Sequence, residues 1–319
     1  MRRAMRILVT DGLEPDAVAA LRAQHHVDLV EADPKQLLEI ILNYEALIVR
    51  SRTKVTADVL AKGAKLKVVA RSGVGVDNID VRAATARRVP VVNAPTGSTI
   101  SVAELAIGHM LSLARQLPEA DRSMKEGKWE KKRFEGRELH GKILGLVGSG
   151  RIGAEVARRA HAFGMDVIAF DPYLSPQAAK DRDIRLVDGL PALLMQADFV
   201  SVHAALTPET KGMLGAKELA LMKRTAYVVN CARGEILQEG ALAEALRAGT
   251  IAGAALDVFE KEPPTGSPIL AAPNVVLTPH LGASTHEAQA RAGGIIADQV
   301  LKVLRGEKPD FAVNPEVYA

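Results

Sequence analysis

Ile143-Leu144-Gly145-Leu146-Val147-Gly148-Ser149-Gly150-Arg151-Ile152-Gly153 is the stretch on which the fold turns. Its apolar opening reads as a strand, and Gly148 to Gly153 spell G-x-G-x-x-G. A helical segment over 154–163 follows, and a second strand over 167–170 ends at Asp171. Glycine-rich turns are common. Strand, loop, helix, strand and terminal acid in that order form the βαβ unit that binds a dinucleotide. The first glycine permits the tight turn, the second lets the backbone approach a pyrophosphate, and the third lets helix and strand pack closely. Phosphate charge is favoured at the helix N-terminus by free N–H groups and the helix dipole. Gly148, Ser149, Gly150, Arg151, Ile152 and Gly153 are therefore the candidate cofactor loop. Asp171 is the candidate acceptor for the adenosine ribose hydroxyls. Its charge opposes a 2′-phosphate, and Pro172-Tyr173 bring no Arg, so NAD is expected rather than NADP.

Outward from this unit, strands and helices alternate in both directions. Strands are expected at 7–9, 27–30, 46–49, 66–70 and 89–92. Helices are expected at 15–24 and 34–42, with a third running from a Thr56 cap to Gly63. On the C-terminal side, strands are expected at 199–203, 227–230, 254–258 and 275–278. Ser284-Thr285-His286-Glu287 reads as a capping box opening a helix that ends near Gly306. Alternation of this kind implies parallel sheets with helices on both faces. Residues 100–117 are densely apolar and read as a helix buried on more than one side, against either the core or a partner subunit.

Composition narrows the function classes. The chain has 319 residues, 48% hydrophobic and only 3% aromatic, so its cores rest on Ala, Val, Leu and Ile. Its 41 basic and 38 acidic residues leave a net charge of +3, which argues against a nucleic-acid-binding role for the whole protein. The single cysteine, Cys231, excludes an intramolecular disulfide and argues against a zinc cluster, and no metal is expected. The basic start at 1–6 precedes an apolar run too brief for a signal peptide, and no stretch reaches the roughly 20 apolar residues of a membrane span. A cytoplasmic protein is expected, without nucleic-acid or membrane partners.

Three polar residues follow predicted strands in the C-terminal half: Arg233, Glu262 and His280. In parallel α/β sheets ligands bind beyond the carboxyl ends of the strands, so the three are expected to converge on the cofactor. Oxidising an alcohol by hydride transfer also requires removing the hydroxyl proton, a task for a His of near-neutral pKa. Glu262 suits the carboxylate that orients the ring, and Arg233 the fork that clamps a substrate carboxylate. Taken singly, each is more readily a surface charge, a loop residue or a solvated side chain. Asp257 and Val74 are further candidate cofactor contacts.

Longer runs of sequence carry a resemblance. They are Asn230-Cys231-Ala232-Arg233-Gly234, Ala254-Ala255-Leu256-Asp257-Val258-Phe259 with Glu262-Pro263-Pro264, and Pro279-His280-Leu281-Gly282-Ala283-Ser284-Thr285. Val49-Arg50-Ser51, Gly73-Val74-Gly75-Val76-Asp77-Asn78 and Gly127-Lys128-Trp129-Glu130 extend them. Together they resemble the D-2-hydroxyacid dehydrogenase family over nearly the whole chain, and most closely its branch acting on 3-phospho-D-glycerate. The resemblance implies Arg233, Glu262 and His280 as the catalytic trio. It also implies two doubly wound parallel-sheet domains: a flavodoxin-like substrate domain, 1–96 with 284–319, and a Rossmann NAD domain, 97–283. A homodimer formed through the NAD domains is implied as well.

Arg50 and Arg71 at strand ends, with Arg52 nearby, suit a substrate phosphate, and Ser72-Gly73-Val74-Gly75 suits an N–H nest. Arg50, Arg71, Ser72 and Gly73 are thus candidate substrate contacts, together with Arg233 and His280. The alternative for the arginines is ordinary ion pairing. Lys131-Lys132-Arg133 reads as a solvated loop, with reach into a neighbouring active site as the alternative. The expected reaction is oxidation of 3-phospho-D-glycerate to 3-phosphohydroxypyruvate, towards serine. The alternatives are a glyoxylate or hydroxypyruvate reductase and an NAD-sensing corepressor-like protein. Two departures stand out: Ser149 where the family often has an apolar residue, and an end at Ala319, before the regulatory domains of longer relatives. Inhibition by serine through such domains is not expected.

Overall fold

The computed structural model describes residues 3–319; the start of the basic segment, Met1-Arg2, and of the first expected domain lies outside them. The chain divides into two compact units, one comprising the described residues through Thr99 with Ala283–Ala319, the other Ile100–Gly282.

The first unit holds five strands: β1 (Arg6–Val9), β2 (His26–Leu29), β3 (Ala46–Val49), β4 (Val68–Arg71) and β5 (Val91–Asn93). They pair in parallel in the order β2-β1-β3-β4-β5, a flavodoxin-like winding. Sheets covered on both faces need apolar residues at every position, and Ala46-Leu47-Ile48-Val49 is buried throughout. Successive residues feed opposite cores. Ile7, Val9 and Ile48 pack with the helices Pro15–Arg22 and His286–Leu304, while Leu8, Leu47 and Val49 pack with Leu37, Val59 and Leu60. The C-terminal tail covers the β5 edge by an antiparallel bridge, Val92 to Ala312. Buried Asn314 ties it there: its carbonyl accepts from the Val91 N–H at 2.7 Å, and its amide donates to Val89 O at 3.0 Å and Thr85 Oγ1 at 2.9 Å.

The second unit holds β6 (Ile143–Val147), β7 (Asp166–Phe170), β8 (Arg185–Leu186), β9 (Phe199–Val202), β10 (Tyr227–Asn230), β11 (Gly253–Leu256) and β12 (Val275–Leu277). All pair in parallel, in the order β12-β11-β10-β9-β6-β7-β8. This is the six-stranded Rossmann order with a seventh strand added, and the winding reverses between β6 and β9.

Local differences from the expectations have local causes. The apolar helix is Thr99–Arg115, not 100–117: Gln116 enters the left-handed region at φ 51°, and a second helix, Leu117–Lys125, starts around Pro118. Pro118 has no N–H to continue the first helix. Its Val102, Ala106, Met110 and Leu113 face the core of the second unit, while Leu105 and Leu111 are only partly covered. The C-terminal helix is capped by Thr285, whose Oγ1 accepts from the Ala288 N–H at 3.1 Å. The expected capping box therefore does not form, because Glu287 falls one position short of the residue that would complete it. The two-residue β8 was not foreseen; it is too short to show a period. Lys131-Lys132-Arg133 lies in an exposed 3-10 turn, with Arg133 paired to Glu130 at 3.0 Å. Among the described residues no helix is long and apolar enough to cross a membrane.

Candidate active site

Because every strand of the second unit runs the same way, their carboxyl ends share one edge. In spatial order that edge carries His280 after β12, Asp257 and Glu262 after β11, Arg233 after β10, His203 after β9, the glycine loop after β6 and Asp171 after β7.

The glycine loop has the sterics its sequence requires. Gly148 sits at φ 85°, and a Cβ there would lie 2.9 Å from Ala204 N. A Cβ on Gly153 would lie 2.7 Å from Gly148 O, so the helix Arg151–Ala162 is seated directly on the loop. A Cβ on Gly150 would meet nothing within 4 Å, leaving open space beside the helix N-terminus. Asp171 is already tied to the loop, one carboxylate oxygen accepting from the Ser149 N–H at 2.7 Å and the other from the Tyr173 N–H at 2.9 Å. Ser149 is fully buried, and its hydroxyl has no partner among the described residues. Two residues here escaped the sequence reading. Arg182 donates to Ser149 O at 2.7 Å, bracing the loop from a position eleven residues past Asp171. His203 holds Nε2 within 2.8 Å of the Ser201 hydroxyl, and desolvation pushes its imidazole down to about 4, keeping it neutral beside the loop. Its place at the end of an expected strand was the available signal.

At the other end of the edge, His280 Nδ1 lies 2.8 Å from Glu262 Oε2 and 3.1 Å from Oε1, and both side chains are about half exposed. The hydrogen bond to Glu262 raises the His280 pKa above its usual value, against desolvation. For Glu262, burial works to raise the pKa, but the hydrogen bond and charge of His280, with smaller help from the Phe259 N–H and Arg233, bring it below the usual range. Arg233 also acts electrostatically on His280, opposing its protonation. The Arg233 loop is shaped by Asn230, whose amide donates to Arg233 O at 2.9 Å and whose Oδ1 accepts from the Ala232 N–H at 3.0 Å. Gly234 lets this loop touch the next one: a Cβ there would stand 1.9 Å from the Phe259 carbonyl carbon. Asp257, expected as a cofactor contact, is fully buried and spends its carboxylate on the His280 loop, accepting from Leu281 N–H at 2.7 Å, Gly282 N–H at 2.8 Å and the Thr278 hydroxyl at 2.6 Å.

In the first unit, Val49 and Arg71 are register partners, so Arg50 and Arg71 stand at neighbouring strand ends. Asp11, also missed in the sequence, organises this edge. Its carboxylate accepts from the Arg50 N–H at 2.8 Å, the Thr53 N–H at 3.0 Å and the Thr53 hydroxyl at 2.6 Å. Burial opposes its ionisation, but these bonds hold its pKa below the usual range. Arg52 is engaged in ion pairs with Asp11 at 3.4 Å and Glu31 at 3.3 Å. The Arg71 guanidinium packs across Gly73, where a Cβ would stand 1.5 Å from Nη1. Of the expected N–H nest, Ser72 donates to Val49 O at 2.9 Å and Gly73 to Arg71 O at 2.8 Å, so those two N–H groups are spent inside the unit. Val74 O accepts from the Asn93 amide at 2.6 Å.

Residues 107–282 match the family model of the D-isomer specific 2-hydroxyacid dehydrogenase, NAD binding domain. The chain belongs to this family. The chain is 52% identical to a D-3-phosphoglycerate dehydrogenase of Methanocaldococcus jannaschii, over 97% of this chain and 59% of that protein. It is 50% identical to one of Mycobacterium tuberculosis, over 97% of this chain and 58% of that one. The chain thus spans under two thirds of the length of these relatives. Among solved structures, a Thermus thermophilus protein superposes with TM-score 0.88 at 38% identity, covering 97% of this chain and all of that one. A glyoxylate reductase of Paecilomyes thermophila gives 0.89 at 29% identity, covering 99% of this chain and all of that one. The matched family model is an NAD binding domain, and two features of this chain fit that cofactor: an open helix N-terminus at Gly150, suited to a pyrophosphate, and the Asp171 carboxylate, suited to a ribose.

Proposed function

We propose that the chain is a dehydrogenase that oxidises 3-phospho-D-glycerate to 3-phosphohydroxypyruvate, a step towards serine. The observation that carries the chemistry is the His280–Glu262 pair beside Arg233, on the same strand edge as the glycine loop. NAD, when bound, supplies the hydride acceptor. Glu262 occupies Nδ1 of His280, so Nε2 is the atom left to take the proton from the substrate hydroxyl. The same carboxylate stabilises the imidazolium that results. Arg233 clamps the substrate carboxylate and polarises the carbonyl that forms. In the reverse direction the protonated His280 returns its proton to the oxygen.

The substrate phosphate calls for cationic partners. Arg50 and Arg71 supply positive charge for it, with Ser72 and Gly73 beside them, and the names of the 52% and 50% identical relatives support that choice. A homodimer belongs to the same reading. Leu117, Met124 and Trp129, at 51, 54 and 80% exposure, are large apolar side chains open to solvent in the second unit, available to a second copy. So does a cytoplasmic location, where NAD and phosphorylated three-carbon acids are found.

The test is NADH formation with NAD and 3-phosphoglycerate, run beside D-lactate, D-glycerate and the His280→Ala variant. Activity on 3-phosphoglycerate that falls about 10²–10⁴-fold in the variant supports both the substrate and the proton role. Activity only on unphosphorylated acids overturns the phosphate assignment and favours a glyoxylate or hydroxypyruvate reductase. No turnover of any acid, in either direction, favours the corepressor-like alternative.

A further inference from the structure

His280 is held in an unfavourable backbone conformation. Its φ is 55°, in the left-handed region that non-glycine residues avoid, so its surroundings must enforce it. The enforcing group is Asp257. Three consecutive N–H groups end on this one residue: His280 on its carbonyl at 2.9 Å, Leu281 on Oδ1 at 2.7 Å and Gly282 on Oδ2 at 2.8 Å. Asp257 is itself held from behind, because Oδ1 also accepts the Thr278 hydroxyl proton at 2.6 Å.

That last bond fixes the next one. A hydroxyl has one proton, and Thr278 has committed it to Asp257. Its 3.2 Å contact with His109 Nε2 therefore requires His109 to donate, with the proton on Nε2. His109 is buried in the helix Thr99–Arg115. Two turns earlier, Ser101 of that helix donates to Gly282 O at 2.5 Å. One helix thus grips the His280 loop twice, through its backbone and through the His109–Thr278–Asp257 chain. Buried polar chains of this kind specify a unique geometry when every member is satisfied.

We propose that His109 is a positioning residue for the catalytic His280, acting through Thr278 and Asp257 without touching substrate or cofactor. The proposal rests on the reading of His280 as the acid–base group. Among the described residues, the charged groups acting on His280 are Glu262, Asp257 and Arg233, and on His109 it is Asp257, which opposes the lowering of its pKa by burial. His109→Leu removes the donor while keeping an apolar body; His109→Gln returns an N–H at about the same reach.

Two readouts are made on each variant. The first is the titration of His280 by NMR in the protein without cofactor, assigned by its loss in His280→Ala. The second is steady-state oxidation of whichever acid the wild type turns over. His109→Leu is expected to move the His280 midpoint down towards that of an ordinary histidine. It should lower kcat about tenfold, with KM for NAD within twofold, because the glycine loop is untouched. His109→Gln should restore both. A wild-type midpoint and kcat in His109→Leu overturn the proposal, as does a His109→Gln as impaired as His109→Leu. If His109→Leu does not fold, Ser101→Ala and His109→Gln decide: a loosened loop lowers the midpoint in Ser101→Ala, and an unmoved midpoint there overturns the two-point grip. Full activity in His280→Ala sinks the catalytic reading itself, a result separate from any of these.

Discussion

Gly234→Ala is the sharpest test of how the loops proposed for catalysis are assembled. The new Cβ would stand 1.9 Å from the Phe259 carbonyl carbon, 2.1 Å from its oxygen and 2.5 Å from Glu260 N. Real Cβ contacts essentially never fall below 3.0 Å, so the shortfall, 3.0 less 1.9, is 1.1 Å. All three opposing atoms are main chain, and no rotamer change relieves them. The Arg233 loop and the loop leading to Glu262 must part by about an ångström. Overpacking of this kind costs about 1–3 kcal/mol. Displacement of a catalytic group by about 1 Å costs up to about 10²-fold in rate. The glycine loop lies two strands away along the edge, so cofactor binding should survive. The assay is kcat/KM for the acid at saturating NAD, with NADH affinity from its fluorescence and Tm from thermal unfolding. The expected result is a fall of about 100-fold in kcat/KM with NADH affinity within threefold. Wild-type kcat/KM and Tm would refute the reasoning, since they would mean that the loops tolerate a clash the geometry forbids.

Other expectations follow from the same site. In the oxidation direction His280 must be neutral to accept a proton, so kcat/KM should rise with pH through a midpoint above the ordinary histidine value of about 6.5. Glu262→Gln removes the carboxylate that raises that pKa, so the midpoint should move down; a pH–rate profile with an unmoved midpoint argues against the pair. Asp171→Ala removes the charge opposing a 2′-phosphate and an acceptor for the Ser149 N–H, so NAD affinity should fall and NADP be discriminated against less. Equal NAD-to-NADP ratios of kcat/KM before and after would remove Asp171 from the selectivity argument. Asn314→Ala leaves the Val91 N–H and Val89 carbonyl without their side-chain partner and should destabilise the first unit by about 2–4 kcal/mol. Thermal unfolding should show it, and an unchanged Tm would mean that the tail does not hold the β5 edge.

Much of this was legible because parallel sheets buried on both faces write themselves as unbroken apolar runs. Ala46–Val49 and Ile143–Val147 need no partner to be read, and the strand–glycine–helix–acid spacing from Ile143 to Asp171 is local. Arg233, Glu262 and His280 were legible as polar residues just past strands, where a parallel sheet gathers its ligands. What the sequence by itself determined is therefore the parallel character of the sheets, with helices on both faces, the strand edge to which the proposed chemistry is assigned and the residue types placed there. Only the tertiary structure decided how those residues are held. His109 meets Thr278 across 169 positions, Asn314 meets Val91 across 223, and Gly234 touches Phe259 only because β10 and β11 are neighbours. The same holds for Asp257, whose position after β11 says nothing of the three bonds its carboxylate makes to the next strand's loop. Periodicity reports which face a residue takes along its own element. It carries no information about which atom of a distant element comes within 3 Å, because that depends on strand register and side-chain reach after the layers have packed.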